Sequence, residues 1–522
     1  MRKTLIIGLD GVSWDVLQPL FKKNITPTLK KLSENGVIGR LRSVVPPVTG
    51  PSWLSIATGK NPGKTGIIDF LVRENNNKLR LLNANDFIKN NPFWNYIDKK
   101  KIIINYPLLF PPYEINGVMV SGVVISEKAD FTFPKDIKNE IYSVAPNYKL
   151  NLDYHHPKYN NIDLFLKDIT NFLDAKGKAD LYLLSKYEWN LGVTIYSPTD
   201  WILHRMWMFI DPNYPLYPGK NNYEDEFKKF WRKLDQIIAK ICNSIDEEVN
   251  ILVISDHGFG PQWGCFNLGK WLETKGYLRK KKGRFMSSFL RKNEFLLKGI
   301  KTSILGKLIP QFFVKKIQSQ ILASVANQID LNESKAYIIG HTIPFGAIYI
   351  NSRNKSNVIR DKLVDQLWQI PKDIKYNVKI KIYEPHSSYH GSKVNKLPDI
   401  ILSINDWACI IEEDIDKNYL FKREPFSLRH TGSHRIDGIF IAYGPNFKRG
   451  AVLQNASILD IAPTILHIFD VPIPKDMDGK VLKEIFKENS ILAKKDIKYQ
   501  ETDYERKRVK KRIEKLRKRQ KI

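Results

Sequence analysis

The sequence predicts an α/β fold with a mostly parallel central sheet, helices on both faces and a helical insertion. Short apolar runs that end in polar or glycine residues are typical of buried parallel strands. Such runs are TLIIGL at 4–9, NILVI at 250–254, PDIILSI at 398–404 and GIFIAYG at 438–444. Helical patterns with start and stop signals occur between them, for example at 26–36 and 457–470. Strands that alternate with helices favour a parallel sheet covered on both faces.

The domain organisation follows from length and composition. A chain of 522 residues with 43% hydrophobic content can bury a large core. We predict one enlarged α/β domain over residues 1–490. A basic, helix-prone insertion or cap interrupts it at about 268–331, where strand-like segments no longer alternate with helical ones. A basic helical tail follows at 491–522.

The chain is strongly basic, and this charge bears on its partners. The net charge is +28, and the tail from Glu505 to Ile522 holds eleven Lys or Arg against two Glu. Such a field attracts small phosphorylated molecules, anionic membrane surfaces or nucleic acid. The stretch 279–325 combines Lys and Arg with apolar residues at near-helical spacing. It is either an interfacial membrane helix or a cap helix whose apolar stripe packs on the domain.

Location is predicted from absent signals and from cysteine use. The first apolar run ends at Asp10, too early for a signal-peptide core, and no later run reaches the ~18 apolar residues of a spanning helix. Cys242, Cys265 and Cys409 form no CxxC pair, which fits a reducing compartment. We expect a cytoplasmic protein, with peripheral membrane attachment through 279–325 or the tail as the alternative.

Polar residues at two strand ends are candidate metal ligands. Asp10 closes the first run, and Asp256 and His257 close the run at 250–254. Ligands gather at the carboxyl ends of strands in such sheets. Adjacent side chains can reach one metal only where the chain leaves the sheet, and SDHGFG provides that exit. For Asp10, helix capping is the ordinary alternative.

Two further segments add ligand types. Asp200 and His204 in SPTDWILHRMW lie four apart, which puts both on one face of a helix. They could ligate a cation together or simply form a hydrogen bond with each other. His434 precedes the run at 438–444 in a glycine-containing loop. Its neighbour His430 is either a group that supports the ligands or an exposed side chain.

The segment VVPPVTGPSWLSIATG supplies a candidate nucleophile, Thr49. Pro51 suits the first turn of a helix, so Thr49 would stand at the helix start. Backbone N–H groups there favour a phosphoryl anion, and a hydroxyl beside a divalent cation loses its proton more readily. A plain helix cap is the alternative role.

The order Asp, Thr, Asp-x3-His, Asp-His, His and its contexts resemble the alkaline phosphatase superfamily. The closest resemblance is to its type I phosphodiesterase/nucleotide pyrophosphatase branch. The resembling stretches extend from about residue 4 to 485 and are LIIGLDG, TPTLKKLSENG, VTGPSWLSIATGKNPGKTGI, SPTDWILHRMW, VISDHGFG, TGSHRIDGIFIAYGP and SILDIAPTILHIFDVPIPKDMDGKVL.

This resemblance implies an alkaline-phosphatase-like domain with two divalent metals, zinc or alternatively manganese. Thr49 would attack phosphorus and give a phosphothreonine that water then hydrolyses. The implied ligands of one metal are Asp10, Thr49, Asp256 and His257, and those of the other are Asp200, His204 and His434.

Substrate identity does not follow from the resemblance. Phe70, beside Asp69, stands where nucleotide pyrophosphatases usually carry a phosphate-contacting Asn, and Thr65 stands where many relatives have His. Ser52, Asp69 and Phe70 are the predicted substrate contacts. The absence of an evident extra Arg or third-metal acid favours phosphodiesters.

The expected function is therefore phosphoester hydrolysis, with phosphodiesters or nucleotide pyrophosphates preferred. A phosphomonoesterase or a phosphomutase of the same superfamily is the alternative. A different class of function is a basic protein that binds membrane or nucleic acid without catalysis. The sequence does not predict an oligomeric state.

Overall fold

The structure is a computed structural model, and it describes residues 3–73, 79–122, 129–245, 248–281, 329–338, 344–351 and 357–501. Most of the stretch 279–325 and most of the basic tail lie outside these residues. The interpretations given above for those two segments therefore stay predictions.

The strands are short, as is usual in an α/β domain. In chain order they are β1 (Lys3–Leu9), β2 (Val37–Arg42), β3 (Leu71–Arg73), β4 (Leu79–Leu81), β5 (Lys101–Tyr106), β6 (Gly117–Ser121), β7 (Thr132–Phe133), β8 (Leu191–Tyr196), β9 (Val249–Ile254), β10 (Gly258–Pro261), β11 (Cys265–Asn267), β12 (Ala336–Ile338), β13 (Gly346–Ile350), β14 (Ile380–Tyr383), β15 (Ile400–Ile404), β16 (Ile410–Glu412), β17 (Phe421–Lys422), β18 (Gly432–Arg435), β19 (Asp437–Tyr443), β20 (Ala451–Ser457), β21 (Ile473–Pro474) and β22 (Tyr499–Gln500).

The helices alternate with the strands of the central sheet. They are α1 (Trp14–Lys22), α2 (Pro27–Glu34), α3 (Thr49–Thr58), α4 (Pro62–Thr65), α5 (Ala84–Asn90), α6 (Ile137–Val144), α7 (Ile162–Lys186), α8 (Pro198–Ile210), α9 (Tyr223–Ser244), α10 (Leu268–Thr274), α11 (Asn357–Leu367), α12 (Ile370–Ile374), α13 (Pro385–Ser388), α14 (Ile461–Ile468) and α15 (Ile491–Lys494). Short 3₁₀ helices lie at Phe93–Tyr96, Pro157–Asn160, Val394–Lys396, Ile458–Asp460 and Lys483–Ile485.

Among the described residues, nine strands form the central sheet in the order β20-β2-β19-β9-β1-β8-β5-β6-β7. The three strands β9, β1 and β8 at its centre are parallel. β19 runs antiparallel to β9 and β2, and β7 runs antiparallel to β6. The predicted α/β fold with a mostly parallel sheet is therefore confirmed.

Side-chain alternation along β1 shows how the sheet is covered. Leu5, Ile7 and Leu9 belong to an apolar core on one face, and Ile6 belongs to a second core on the other face. The first core includes residues of α1, α2, α7 and α9. The second includes residues of α3, α5 and α14. A strand buried on both faces reads as a continuous apolar run, which is why TLIIGL predicted it.

A smaller unit between β10 and β18, here called the cap, has its own apolar core. Its sheets are β16-β11-β17 and the antiparallel β12-β13-β15-β14. The core contains residues of α10, α11 and α12 together with these strands. The run 398–404 is a strand, β15, but it lies in this antiparallel sheet and not in the central one. The apolar run predicted the strand correctly and gave no information on which sheet it joins.

The cap packs directly on the start of α3. Val48 and Ile68 of the central domain share a buried cluster with Phe345, Tyr349 and Trp407 of the cap. This contact places the cap beside the carboxyl ends of the central strands.

The predicted tail begins at 491, and its described part packs against the domain. Leu492 is fully buried, and β22 pairs with β21 in parallel. Within the described ranges, none of the helices has the length and apolar content to cross a bilayer.

Candidate metal centre and active site

The carboxyl ends of the three central strands bring five of the candidate residues together. Asp10 directly follows β1, and Asp256 and His257 follow β9. Asp200 and His204 lie on α8, which begins two residues after β8. Since parallel neighbours end at the same edge of a sheet, these side chains converge there.

Thr49 and His434 reach the same point from other elements. Thr49 is the first residue of α3. His434 lies in β18, which forms an antiparallel pair with β10 directly after the Asp256–His257 exit. All seven predicted ligands, including Thr49, are at most 9% exposed.

Thr49, Asp10, Asp256 and His257 form the first group. The Thr49 hydroxyl is 3.3 Å from His257 Nε2 and 3.5 Å from Asp10 Oδ1. His257 Nε2 is also 3.6 Å from Asp10 Oδ1 and 3.4 Å from Asp256 Oδ2. Asp10, Asp256 and His257 have ligand atoms close enough to share one cation.

Asp200, His204 and His434 form the second group. Asp200 Oδ1 is 3.4 Å from His204 Nε2 and 3.3 Å from His434 Nε2. The His434 ring stacks on that of His257, with centroids 3.9 Å apart, so the two groups adjoin. His257, Asp200 and His434 also have ligand atoms within reach of one cation.

Backbone carbonyls fix which nitrogen of each imidazole faces the centre. The Nδ1 atoms of His204, His257 and His434 lie 2.9, 3.1 and 2.9 Å from carbonyl oxygens of Gly432, Gly258 and Pro47. A carbonyl only accepts, so each Nδ1 carries the proton. Each Nε2 then presents a lone pair, as a metal ligand must.

The buried charges and lone pairs fit cations in this centre. The Nε2 atoms of His204 and His434 face each other at 3.1 Å, which is repulsive for two lone pairs unless a cation lies beside them. Asp200 Oδ1 and Asp256 Oδ2 are buried without a hydrogen-bond partner in the described part of the chain. Burial, and next the negative charge of Asp256, raise the pKa of Asp10. Imidazole and carboxylate donors without thiolate suit zinc, and manganese also accepts them.

Several side chains that the sequence analysis did not single out position these ligands. Trp53 Nε1 donates to Asp10 Oδ2 at 3.4 Å, and Thr199 Oγ1 donates to the Asp10 carbonyl at 2.6 Å. The Ser255 hydroxyl donates to the carbonyl of His257 and accepts from Val12 N–H. Trp53 follows Thr49 by four positions, so helical spacing could have placed both on one face of α3.

Trp53→Phe should weaken metal binding about 10- to 100-fold, as is typical when a partner of a metal ligand is lost. The change removes the N–H that orients Asp10 and keeps an aromatic ring in the core. Zinc titration against a competing chelator measures the effect.

Trp94→Phe is the matched control for this prediction. Trp94 is also fully buried, and its Nε1 donates to Tyr113 OH and not to a ligand. We expect its zinc affinity to equal that of the unmodified protein. A similar loss of affinity in both variants would mean that aromatic packing, and not the Asp10 contact, governs binding.

The predicted substrate contacts lie near α3 but are engaged elsewhere. The Ser52 hydroxyl is fully buried and 2.9 Å from that of Ser43. Asp69 Oδ1 accepts from Phe70 N–H at 2.6 Å. The Phe70 side chain packs with both the second apolar core and the cluster under the cap. No described hydrogen bond joins Ser52 to the metal-ligand groups. The roles of Ser52, Asp69 and Phe70 as substrate contacts all stay predictions.

Residues 4–434 match the sequence profile of the type I phosphodiesterase/nucleotide pyrophosphatase family. The chain belongs to this family. The match confirms the resemblance stated from the motifs, and it includes Asp10, Thr49 and His434. A sequence search against curated proteins finds no match.

Solved structures share the fold of this phosphodiesterase-family chain at low sequence identity. An inactive variant of murine ectonucleotide pyrophosphatase/phosphodiesterase 5 in complex with AMP has a TM-score of 0.52 and 13% identity, with 93% of this chain and 100% of that chain covered. Human ectonucleotide pyrophosphatase/phosphodiesterase 5 has a TM-score of 0.51 and 14% identity, with 94% of this chain and 100% of that chain covered. Phosphonoacetate hydrolase from Sinorhizobium meliloti, in complex with phosphonoformate, has a TM-score of 0.52 and 14% identity, over 90% and 95%.

Membership in the type I phosphodiesterase/nucleotide pyrophosphatase family supports the reaction class. The protein is a phosphoester hydrolase of a divalent-metal-dependent family, and such families act on small phosphorylated or nucleotide substrates.

Proposed function

We propose that the protein cleaves phosphodiester or nucleotide pyrophosphate bonds through a phosphothreonine on Thr49. The observation that carries the proposal is the position of the Thr49 hydroxyl. It lies within 3.5 Å of Asp10 Oδ1 and His257 Nε2. The imidazole nitrogens and carboxylate oxygens of this buried centre suit bound cations.

Two divalent cations, zinc or manganese, would be held by the two ligand groups defined above. When bound, such cations stabilise the attacking and leaving oxygens of an in-line displacement. His257 and Asp10 orient the Thr49 hydroxyl toward phosphorus. Thr49 is 9% exposed, and its neighbour Val48 packs against the cap.

The start of α3 offers further support for binding phosphate. The N–H groups of Thr49 and Gly50 have no acceptor in the described part of the chain, and Pro51 has no N–H to leave unpaired. Free amides at a helix N-terminus favour an anion. The phosphoryl group can thus bind to backbone donors without the Asn that Phe70 replaces.

The charges around the centre favour a diester over a monoester. Among the described ion pairs, the three carboxylates Asp10, Asp200 and Asp256 pair only with histidines, and no Lys or Arg reaches them. A phosphodiester carries one negative charge, whereas a monoester carries close to two at neutral pH. The second charge would lack a side-chain cation.

The assay compares bis-p-nitrophenyl phosphate with p-nitrophenyl phosphate, each with zinc or manganese after chelator treatment. We expect kcat/KM for the diester to be at least about tenfold higher, which is ~1.4 kcal/mol of transition-state stabilisation. A reversed preference would make the protein a phosphomonoesterase.

The cellular location and the macromolecular partners remain part of this proposal. We propose a cytoplasmic protein. Peripheral attachment to an anionic membrane through 279–325 or the basic tail would be tested by vesicle co-sedimentation, in which binding should weaken with salt. Nucleic acid is the alternative polyanion, and equal competition by oligonucleotide would favour it.

A further inference from the structure

Three aromatic rings from two loops stand beside His204. Tyr154 lies nearly parallel to His204, with centroids 6.0 Å and planes 12° apart. His430 stacks on His204 at 4.0 Å. His155 completes the group, 4.0 Å from Tyr154 and 6.1 Å from His430. These rings form a continuous wall next to the second ligand group. His430 is thus buried in this wall and is not an exposed side chain.

Arg205, the neighbour of His204 on α8, holds both loops in place. Arg205 is 4% exposed, and its guanidinium donates to the carbonyls of Tyr159 at 2.5 Å and Leu428 at 3.0 Å. Arg429 adds a hydrogen bond from the second loop to the carbonyl of His155. Because these bonds join both loops to α8 and to each other, the wall is formed before any substrate binds.

The Tyr154 hydroxyl is available to a ligand. Tyr154 is half-buried, and none of the side-chain hydrogen bonds found among the described residues involves its hydroxyl. A tyrosine hydroxyl is protonated at neutral pH, so it can donate a hydrogen bond. The ring lies parallel to that of His204, which places Tyr154 beside the second ligand group.

We propose that Tyr154 is a further catalytic residue whose hydroxyl donates a hydrogen bond to the oxygen that leaves phosphorus. The inference rests on the proposed function. In-line attack by Thr49 from the first group directs the leaving oxygen toward the second group, beside which Tyr154 stands.

The atoms balance in this step without proton transfer from Tyr154. A bond forms between Thr49 Oγ and phosphorus, and the bond from phosphorus to the leaving oxygen breaks. The bonding electron pair departs with that oxygen, which takes a proton from water. The Thr49 proton passes to water, and Tyr154 keeps its own.

A donor to the leaving oxygen matters most when that oxygen carries the most charge. Tyr154→Phe removes the hydroxyl and keeps the ring. We expect kcat to fall about 100-fold for methyl phenyl phosphate, the order of effect of losing one preorganised donor. For methyl p-nitrophenyl phosphate, whose leaving group disperses its charge, we expect a loss below about fivefold. Metal content and KM should not change.

Tyr214→Phe is the matched control. The Tyr214 hydroxyl is buried and also lacks a partner in the described ranges, but its ring packs on Trp263 and not on a metal-ligand residue. Both esters should react at unmodified rates in this variant.

Equal losses on the two esters, no loss on either, or loss of metal from Tyr154→Phe would overturn the inference about Tyr154. Thr49→Ala, assayed in parallel, separates this result from failure of the proposed function. If that variant turns over normally, or if the unmodified protein hydrolyses neither ester, the proposed function falls and the inference falls with it.

Discussion

Thr49→Ala should lower kcat by at least about 10³-fold, with metal content unchanged. The change would remove the oxygen that we propose attacks phosphorus, and loss of a covalent nucleophile leaves only binding and electrostatic stabilisation to act on the ester. The six other proposed ligand side chains would remain to hold the cations. Steady-state assays with bis-p-nitrophenyl phosphate, together with metal analysis of the same samples, measure both quantities.

Two further variants serve as controls for Thr49→Ala. Thr49→Ser keeps a hydroxyl and should retain partial activity. Thr58→Ala changes the other end of the same helix, where the threonine hydroxyl donates to the Leu54 carbonyl at 2.7 Å. Its rate should stay near that of the unmodified protein. If Thr49→Ala turns over at the unmodified rate, a covalent phosphothreonine is excluded.

Asp200→Ala should prevent the second ligand group from holding a cation, and it should abolish turnover. Asp200 Oδ1 is the oxygen that both His204 and His434 approach, so its removal leaves two imidazoles without a shared carboxylate. A chelator should likewise remove activity, and zinc or manganese should restore it. When the free metal concentration is about 1,000 times the Kd, loss of the bound cation lowers the free energy of unfolding by about 4 kcal/mol. Metal analysis and thermal denaturation measure the two effects.

Asp235→Ala controls for the loss of a buried carboxylate as such. Asp235 is 3% exposed and accepts hydrogen bonds from the N–H groups of Thr28 and Leu29 at the start of α2. This variant should lower the melting temperature while keeping the metal content and the kcat of the unmodified protein. Unchanged metal content in Asp200→Ala would contradict the assignment of the second group.

The central sheet was predictable because its strands are buried on both faces. TLIIGL and NILVI read as continuous apolar runs, and helices with start and stop signals separate such runs. The cap was less visible. Two of its strands, Cys265–Asn267 and Ile410–Glu412, have only three residues each. Three residues are too few to show the alternation of apolar and polar side chains that predicts a strand. The predicted insertion at 268–331 therefore covers only part of a unit whose described strands continue to Lys422.

The candidate site was predictable where residue type, spacing and strand ends agree. Asp10, Asp256 and His257 follow strands, and Asp200 and His204 share a helix face. The contacts of Tyr154 could not be predicted, because a loop with no regular spacing carries it to His204. His430 was recognised as a neighbour of His434, but only the fold shows that it stacks on His204.

The position of β1 at the centre of the sheet has a consequence for synthesis on the ribosome. β1 pairs on both sides with β8 and β9, and the contact between Gly11 and Asp256 joins residues 245 positions apart. At ~5–20 residues per second, translation of that interval takes on the order of 10–50 s. For that time the apolar strand LIIGL lacks its β9 partner in the nascent chain, although β8 emerges earlier, and its open edge is a target for chaperones that hold exposed hydrophobic segments. His434 emerges later still, so the second ligand group is complete only after most of the polypeptide has been synthesised, whereas the first is complete once His257 has emerged.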